Sequence, residues 1–240
     1  MSEETGKSRR HRQLALDFPE AGPPTLDGLA VTPANRTALA VLKRWPDWRT
    51  HTLAIVGQPK SGLTTAARAW AEHAGGEVIA AKTFDKLSHK KVEALAGKPV
   101  AIDPADQVRN EDNLLSLINL SARLGGSVVL TGQKAPALWR VKQPDLASRL
   151  KAMTLVELAP PDDEMVSVRL HAAMKKRFLK LPEDVEAYLL LRIERNYAAL
   201  ETFVESLQEM AEGREVTVPL AREVLDDQDG TRPLFDDGED

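Results

Sequence analysis

Cysteine is absent from the 240 residues, which excludes disulfide staples, thiolate metal sites and a cysteine nucleophile, and suits a reducing compartment. Excess positive charge is missing too: 36 acidic side chains stand against 32 basic ones, a formal charge of −4. No global field therefore exists to hold the phosphates of duplex DNA, and direct sequence-specific DNA binding is not expected. No run approaches the ~20 apolar residues of a membrane span. The first residues, with Glu3, Glu4 and a basic run from Lys7 to Arg12, lack the apolar stretch of a signal peptide, so the expectation is a cytoplasmic protein without membrane attachment. His11, His51, His73, His89 and His171 show neither metal-ligand spacing nor a Ser-His-Asp arrangement, and no metal site is expected.

What is present is enough chain for one α/β domain and a smaller helical one. Residues 1–30 are rich in proline, glycine and charge, and are expected to form a flexible arm. Its apolar cluster is Leu14, Leu16 and Phe18; the basic run reads as a solvated tail. Five short aliphatic runs follow, at Thr52–Val56, Glu77–Ala81, Pro99–Asp103, Ser127–Thr131 and Thr154–Leu158, alternating with helical patterns. That alternation predicts a three-layer α/β core with a five-stranded parallel sheet over residues 31–160. After Pro160-Pro161 the spacing is helical at Asp162–Phe178, Pro182–Ile193, Ala198–Glu212 and Val218–Asp226, which predicts a helical lid over 161–227. An acidic tail, 228–240, closes the sequence; its Pro233-Leu234-Phe235 could be a second peptide-like contact. Trp45, Trp48, Trp70 and Trp139 are expected in core or interdomain packing.

Directly after the first strand, Gly57-Gln58-Pro59-Lys60-Ser61-Gly62-Leu63-Thr64 has the spacing of a phosphate-binding loop that opens a helix. Gly57 and Gly62 stand where such a loop needs them, and Thr64 matches its magnesium-binding hydroxyl. The lysine position holds Leu63, however, so the cation that reaches the outer phosphates is missing, a loss of about 1.5–3 kcal/mol for one charge-assisted contact. Lys60 replaces an expected glycine and could touch phosphate only by folding back. Asp103, ending the third strand, fits the magnesium-associated aspartate. Its neighbour Pro104 stands where an acid should polarise the attacking water, and proline can neither accept nor relay a proton. These departures leave ADP or ATP with magnesium as a weak ligand at most, and predict no effective hydrolysis. A loop that survives only as a strand-to-helix turn is the other reading.

Several stretches together resemble the Hda family of DnaA-related AAA+ proteins. They are Gln13-Leu14-Ala15-Leu16-Asp17-Phe18, Val31-Thr32-Pro33-Ala34-Asn35, Arg44-Trp45-Pro46-Asp47-Trp48, Asp145-Leu146-Ala147-Ser148-Arg149-Leu150, Pro160-Pro161-Asp162-Asp163 and Arg192-Ile193-Glu194-Arg195-Asn196-Tyr197. Their order, spanning most of the chain, makes the likeness specific. The resemblance implies an AAA+ core with strand order 5-1-4-3-2 and a lid. It also implies a regulator that docks on the DNA polymerase sliding clamp (beta subunit) and stimulates ATP hydrolysis on DnaA. Gln13, Leu14, Leu16 and Phe18 would be the clamp-binding peptide, the glutamine amide in a polar pocket and the apolar side chains in a greasy one. Arg149 would be an arginine finger acting in trans, permanently charged and able to bind two phosphoryl oxygens at once. Thr131 matches a polar sensor or is a capping hydroxyl. Ala198 falls where DnaA carries a sensor arginine, with Arg192 and Arg195 nearby but expected in surface ion pairs with Glu194. A clamp-binding adaptor without action on DnaA is the main alternative. An active helicase-loader ATPase would need a lysine at 63 and an acid at 104, and no stretch after Leu225 reads as the DNA-binding domain of a complete DnaA. Self-association is left open.

Overall fold

The computed structural model describes residues 22–211 and 213–230. Five parallel strands, β1 (Thr52–Gly57), β2 (Glu77–Ala80), β3 (Pro99–Asp103), β4 (Ser127–Gly132) and β5 (Thr154–Leu158), form one sheet in the order β2-β3-β4-β1-β5. This is the order expected from the likeness. β1 and β4 are buried almost end to end, because helices cover both faces, and so they read as unbroken aliphatic runs. β5, at an edge, leaves Thr154, Leu155 and Glu157 exposed. The second strand ends one residue earlier than expected, since Ala81 opens a single helical turn, α3 (Ala81–Phe84).

Alternate side chains along each strand serve opposite faces. Leu53, Ile55, Ala101 and Val129 pack with α1 (Arg36–Lys43) and α2 (Leu63–Ala74), where four alanines let the helix approach and Trp70 fills the space between. Val100, Ile102, Val128 and Leu130 pack against α4 (His89–Ala96), α5 (Glu111–Leu124) and α6 (Pro144–Lys151). α5 begins where the Asn110 side chain accepts the Asn113 amide and ends at Gly125, whose φ of 75° suits glycine. Trp70 is stacked on Trp48 at 5.5 Å and meets Trp45 edge-on at 6.5 Å.

The four remaining helices, α7 (Asp163–Lys176), α8 (Glu183–Leu190), α9 (Tyr197–Ala211) and α10 (Val218–Gly230), bury a core of their own around Leu170, Met174, Leu189, Phe203, Leu207 and Val224. α8 stops three residues before the expected Ile193, and α9 begins at Tyr197, just after Asn196, whose side-chain oxygen accepts the Ala199 amide at 2.8 Å.

Two boundaries read from composition are corrected. Leu26 is 2% exposed and belongs to the α1–α2 core, with Leu29 packed beside it, so the second half of the arm's last ten residues is part of the body. Two isolated leucines among prolines and glycines carry no periodicity, and their burial is a long-range event. Similarly α10 continues to Gly230, taking three residues from the expected acidic tail. The clamp-motif residues Gln13, Leu14, Leu16 and Phe18, and the segment Pro233-Leu234-Phe235, lie outside the described residues. Among the described residues, no helix is long and apolar enough to cross a membrane.

Candidate functional site

The C-terminal ends of β1, β3 and β4 open onto the start of α2, the crevice in which open α/β sheets place their ligands. The loop from Gln58 to Gly62 closes tightly, with the Ser61 amide donating to the Gln58 carbonyl at 3.1 Å. Gly57 is sterically required: a Cβ there would stand 2.5 Å from Ser61 Oγ and 2.7 Å from the Leu158 carbonyl oxygen. Gly62 has a φ of 95°. Lys60 adopts a φ of 65°, so the backbone keeps a glycine-type path although the residue has changed. Its side chain is exposed at the rim of an open cavity of about 370 Å³.

Behind that rim, Thr64 Oγ1 donates to Asp103 Oδ2 at 2.7 Å. The Thr131 hydroxyl, fully buried, donates to the other oxygen of the same carboxylate and caps no helix. Four expected nucleotide-site residues, Lys60, Gly62, Thr64 and Asp103, thus line one cavity, while Gly57 ends β1 at the start of the loop and Thr131 lies behind Asp103. Leu63, Pro104 and Ala198 complete the lining, and among the described residues that line this cavity Lys60 is the sole cation. The donor set does not fit a magnesium triphosphate poised for cleavage, because Leu63, Pro104 and Ala198 offer the cavity neither a cation nor a second carboxylate beside Asp103. What survives for a phosphate group is the set of backbone amides at the start of α2.

A second cavity, about 150 Å³, meets the first at Gly62 and lies between residues 28–35 and the lid residues Met165, Arg169 and Tyr197. The Tyr197 ring edge would be 3.1 Å from a Cβ on Gly62, so it rests directly on the phosphate loop. The Arg169 guanidinium lies 5.4 Å from the centre of that ring and 3.6 Å from Glu201. Burial pushes the Tyr197 phenol above its ordinary pKa, partly opposed by the positive charge of Arg169.

Asp162 forms the joint between lid and core. One carboxylate oxygen caps α7 by accepting the Met165 amide at 2.8 Å, and the other accepts the Ala34 amide at 3.0 Å. Burial raises the Asp162 pKa, but those two amides and the Thr32 hydroxyl outweigh it, and the carboxyl ends below its ordinary value. Arg195 pairs with Asp163 and reaches the Pro161 carbonyl, while Arg192 lies 4.2 Å from the Tyr188 ring centre. Neither arginine lines the cleft.

Arg149 stands apart, in the last turn of α6. Leu146 and Leu150 anchor that helix on the sheet, which turns Arg149 outward; it is exposed, lines neither cavity, and makes no ion pair among the described residues. The residues not singled out from sequence are Tyr197, Arg169 and the joint role of Asp162. The Pro-Pro-Asp sequence three residues before Met165 was a readable cap signal; nothing local marks the other two.

Sheet order, phosphate loop and helical lid together define a P-loop protein of the AAA+ fold. The chain is similar to domain III of the replication initiation protein DnaA from Thermotoga maritima, at 20% identity and a TM-score of 0.71, over 88% of this chain and 98% of that one. AMPPCP-bound DnaA from Aquifex aeolicus matches at 19% identity and a TM-score of 0.68, over 87% and 71%. The Thermotoga maritima RuvB Holliday junction branch migration motor matches at 15% and 0.65, over 85% and 72%. These structures share its fold. The family model of the Hda lid domain matches residues 162–225, the segment that holds all four lid helices up to Leu225. Residues 162–225 thus match an Hda lid domain, and the chain as a whole has the AAA+ fold of DnaA domain III.

Proposed function

We propose that this protein is an Hda-like regulator of replication initiation that acts on the nucleotide of DnaA and not on its own. The observation that carries the reading is the contrast between two sites: a cleft short of cations and of a second acid, and an exposed Arg149 that does not line that cleft and has no ion pair among the described residues. A guanidinium held on a rigid helix, permanently charged and free of a carboxylate partner, suits insertion toward the phosphates of a neighbouring AAA+ protein. Fingers of this kind raise hydrolysis by ~10³–10⁵. In this reading the arm before Leu26 carries the clamp peptide, with Gln13, Leu14, Leu16 and Phe18 as its anchors. The body from Leu26 to residue 160 presents Arg149, residues 161–230 are the lid, and the protein works in the cytoplasm on the clamp and DnaA. ADP or ATP, with magnesium, is a weak ligand without a catalytic role.

The test is turnover of DnaA-bound ATP in the presence of clamp-loaded DNA, with wild type and Arg149→Ala compared at equal concentration. The expected result is loss of at least a hundredfold of the stimulation with clamp binding intact. Equal rates would leave a clamp-binding adaptor that does not inactivate DnaA.

A further inference from the structure

The two cavities share Gly62, Thr65 and Tyr197 in their linings, and so meet at these residues. A nucleotide with its phosphates at the amides of α2 and its base in the second cavity would have to cross that boundary. The ring of Tyr197 fills the space in front of Gly62, where a Cβ would stand 3.1 Å from its edge, with the Arg169 guanidinium 5.4 Å from the ring centre. The aromatic contact therefore ties the lid to the loop at the point a ligand would have to cross.

We propose that Tyr197 is an internal stopper of the cleft, which separates the second cavity from the phosphate side and weakens nucleotide binding by occupying the passage between them. This inference is independent of any action of Arg149 on DnaA. Three features support it beyond the contact itself. Tyr197 is the first residue of α9 and follows Asn196, a buried residue whose side chain caps the helix, so its backbone is fixed. The salt bridge of Arg169 to Glu201, one turn further along α9, holds the guanidinium that packs on the ring. The lid is tied to the core a second time by Asp162 and the Ala34 amide, so closure does not need a ligand to bridge the two parts. The missing cation at Leu63 and the ring at Tyr197 thus act separately, the first by weakening the attraction for phosphate and the second by blocking the path.

The experiment uses the full chain and titrates a fluorescent ADP analogue, with magnesium, into wild type, Tyr197→Phe, Tyr197→Ala, Leu63→Lys and the Leu63→Lys/Tyr197→Ala double variant. Folding of each is checked by circular dichroism and melting. Tyr197→Phe keeps the stopper and should bind as wild type does. Tyr197→Ala should tighten binding by about tenfold, equivalent to ~1.4 kcal/mol, and should do so again between Leu63→Lys and the double variant. The second comparison restores the phosphate cation, so a gain hidden in the wild-type background by weak attraction becomes measurable there. Tyr197→Leu replaces Tyr197→Ala in both backgrounds should the alanine variants not fold. Equal affinities with and without the ring in the Leu63→Lys background would overturn the proposal. So would wild type binding the probe as tightly as Tyr197→Ala.

Discussion

Replacing Asp162 by alanine removes two hydrogen bonds made by one carboxylate, the cap on the Met165 amide at 2.8 Å and the tie to the Ala34 amide at 3.0 Å. Loss of an N-cap costs about 1 kcal/mol. A hydrogen bond to a charged acceptor is worth about 1.5–3 kcal/mol, and the lower end applies to this half-buried carboxylate. The sum is about 2–3 kcal/mol, which for a chain of this size lowers the melting temperature by roughly 5–10 °C. Asp162→Asn keeps a capping oxygen and one of the two bonds, and should lose about 1 kcal/mol. The pH dependence follows from the depressed pKa of Asp162. A carboxyl with a folded-state pKa below its unfolded value of ~3.9 contributes fully above that value, and the contribution is lost as pH falls through the lowered folded value. Melting of wild type and Asp162→Asn should therefore differ by a constant amount from pH 5 to pH 8, as order-of-magnitude limits of the plateau, and converge steadily below about pH 4. Hydrogen exchange at the Ala34 amide should accelerate in both variants, since that donor sits in the core and reports the joint and not the helix. A gap that persists undiminished in acid, or exchange at Ala34 that ignores the substitution, would refute the assignment of Asp162 as the joint.

Trp70→Ala should cost about 3–5 kcal/mol, because the indole is fully buried and packed by Trp45 and Trp48, with denaturant unfolding as the measure. Gly57→Ala should destabilise by about 1–3 kcal/mol through overpacking against the Leu158 carbonyl, whereas Gly76→Ala, facing the Pro99 carbonyl at 2.2 Å, should be comparably harmful far from the cleft. The Gln13→Ala/Leu16→Ala/Phe18→Ala variant should lose clamp binding, measured by surface plasmon resonance, with an unchanged melting temperature; retained binding would place the docking peptide elsewhere. The purified protein should hydrolyse ATP no faster than a protein-free blank, and a phosphate-release assay showing robust turnover would contradict the reasoning from Leu63 and Pro104.

The five strands were legible because each is a short aliphatic run bounded by turn residues, and a parallel sheet covered on both faces imposes that pattern locally. The loop from Gly57 to Thr64 was legible for the same kind of reason: fixed spacing is what a phosphate-binding turn requires of its glycines. Local spacing likewise put Leu63 and Pro104 beside the loop and the end of β3, where both line the cavity. The meeting of Thr64, Asp103 and Thr131 needed the order β3-β4-β1, which the family likeness supplied and the residue pattern alone did not. What only the tertiary structure decided are contacts between segments far apart in the chain. Asp162 meets the amide of Ala34 across 128 positions, Tyr197 comes down on Gly62, and Leu26 enters the core that composition had denied it. Periodicity records the environment along one element, whereas the relative placement of lid and core is set by packing between elements, and a single side chain in such a contact leaves no repeat for a sequence to display.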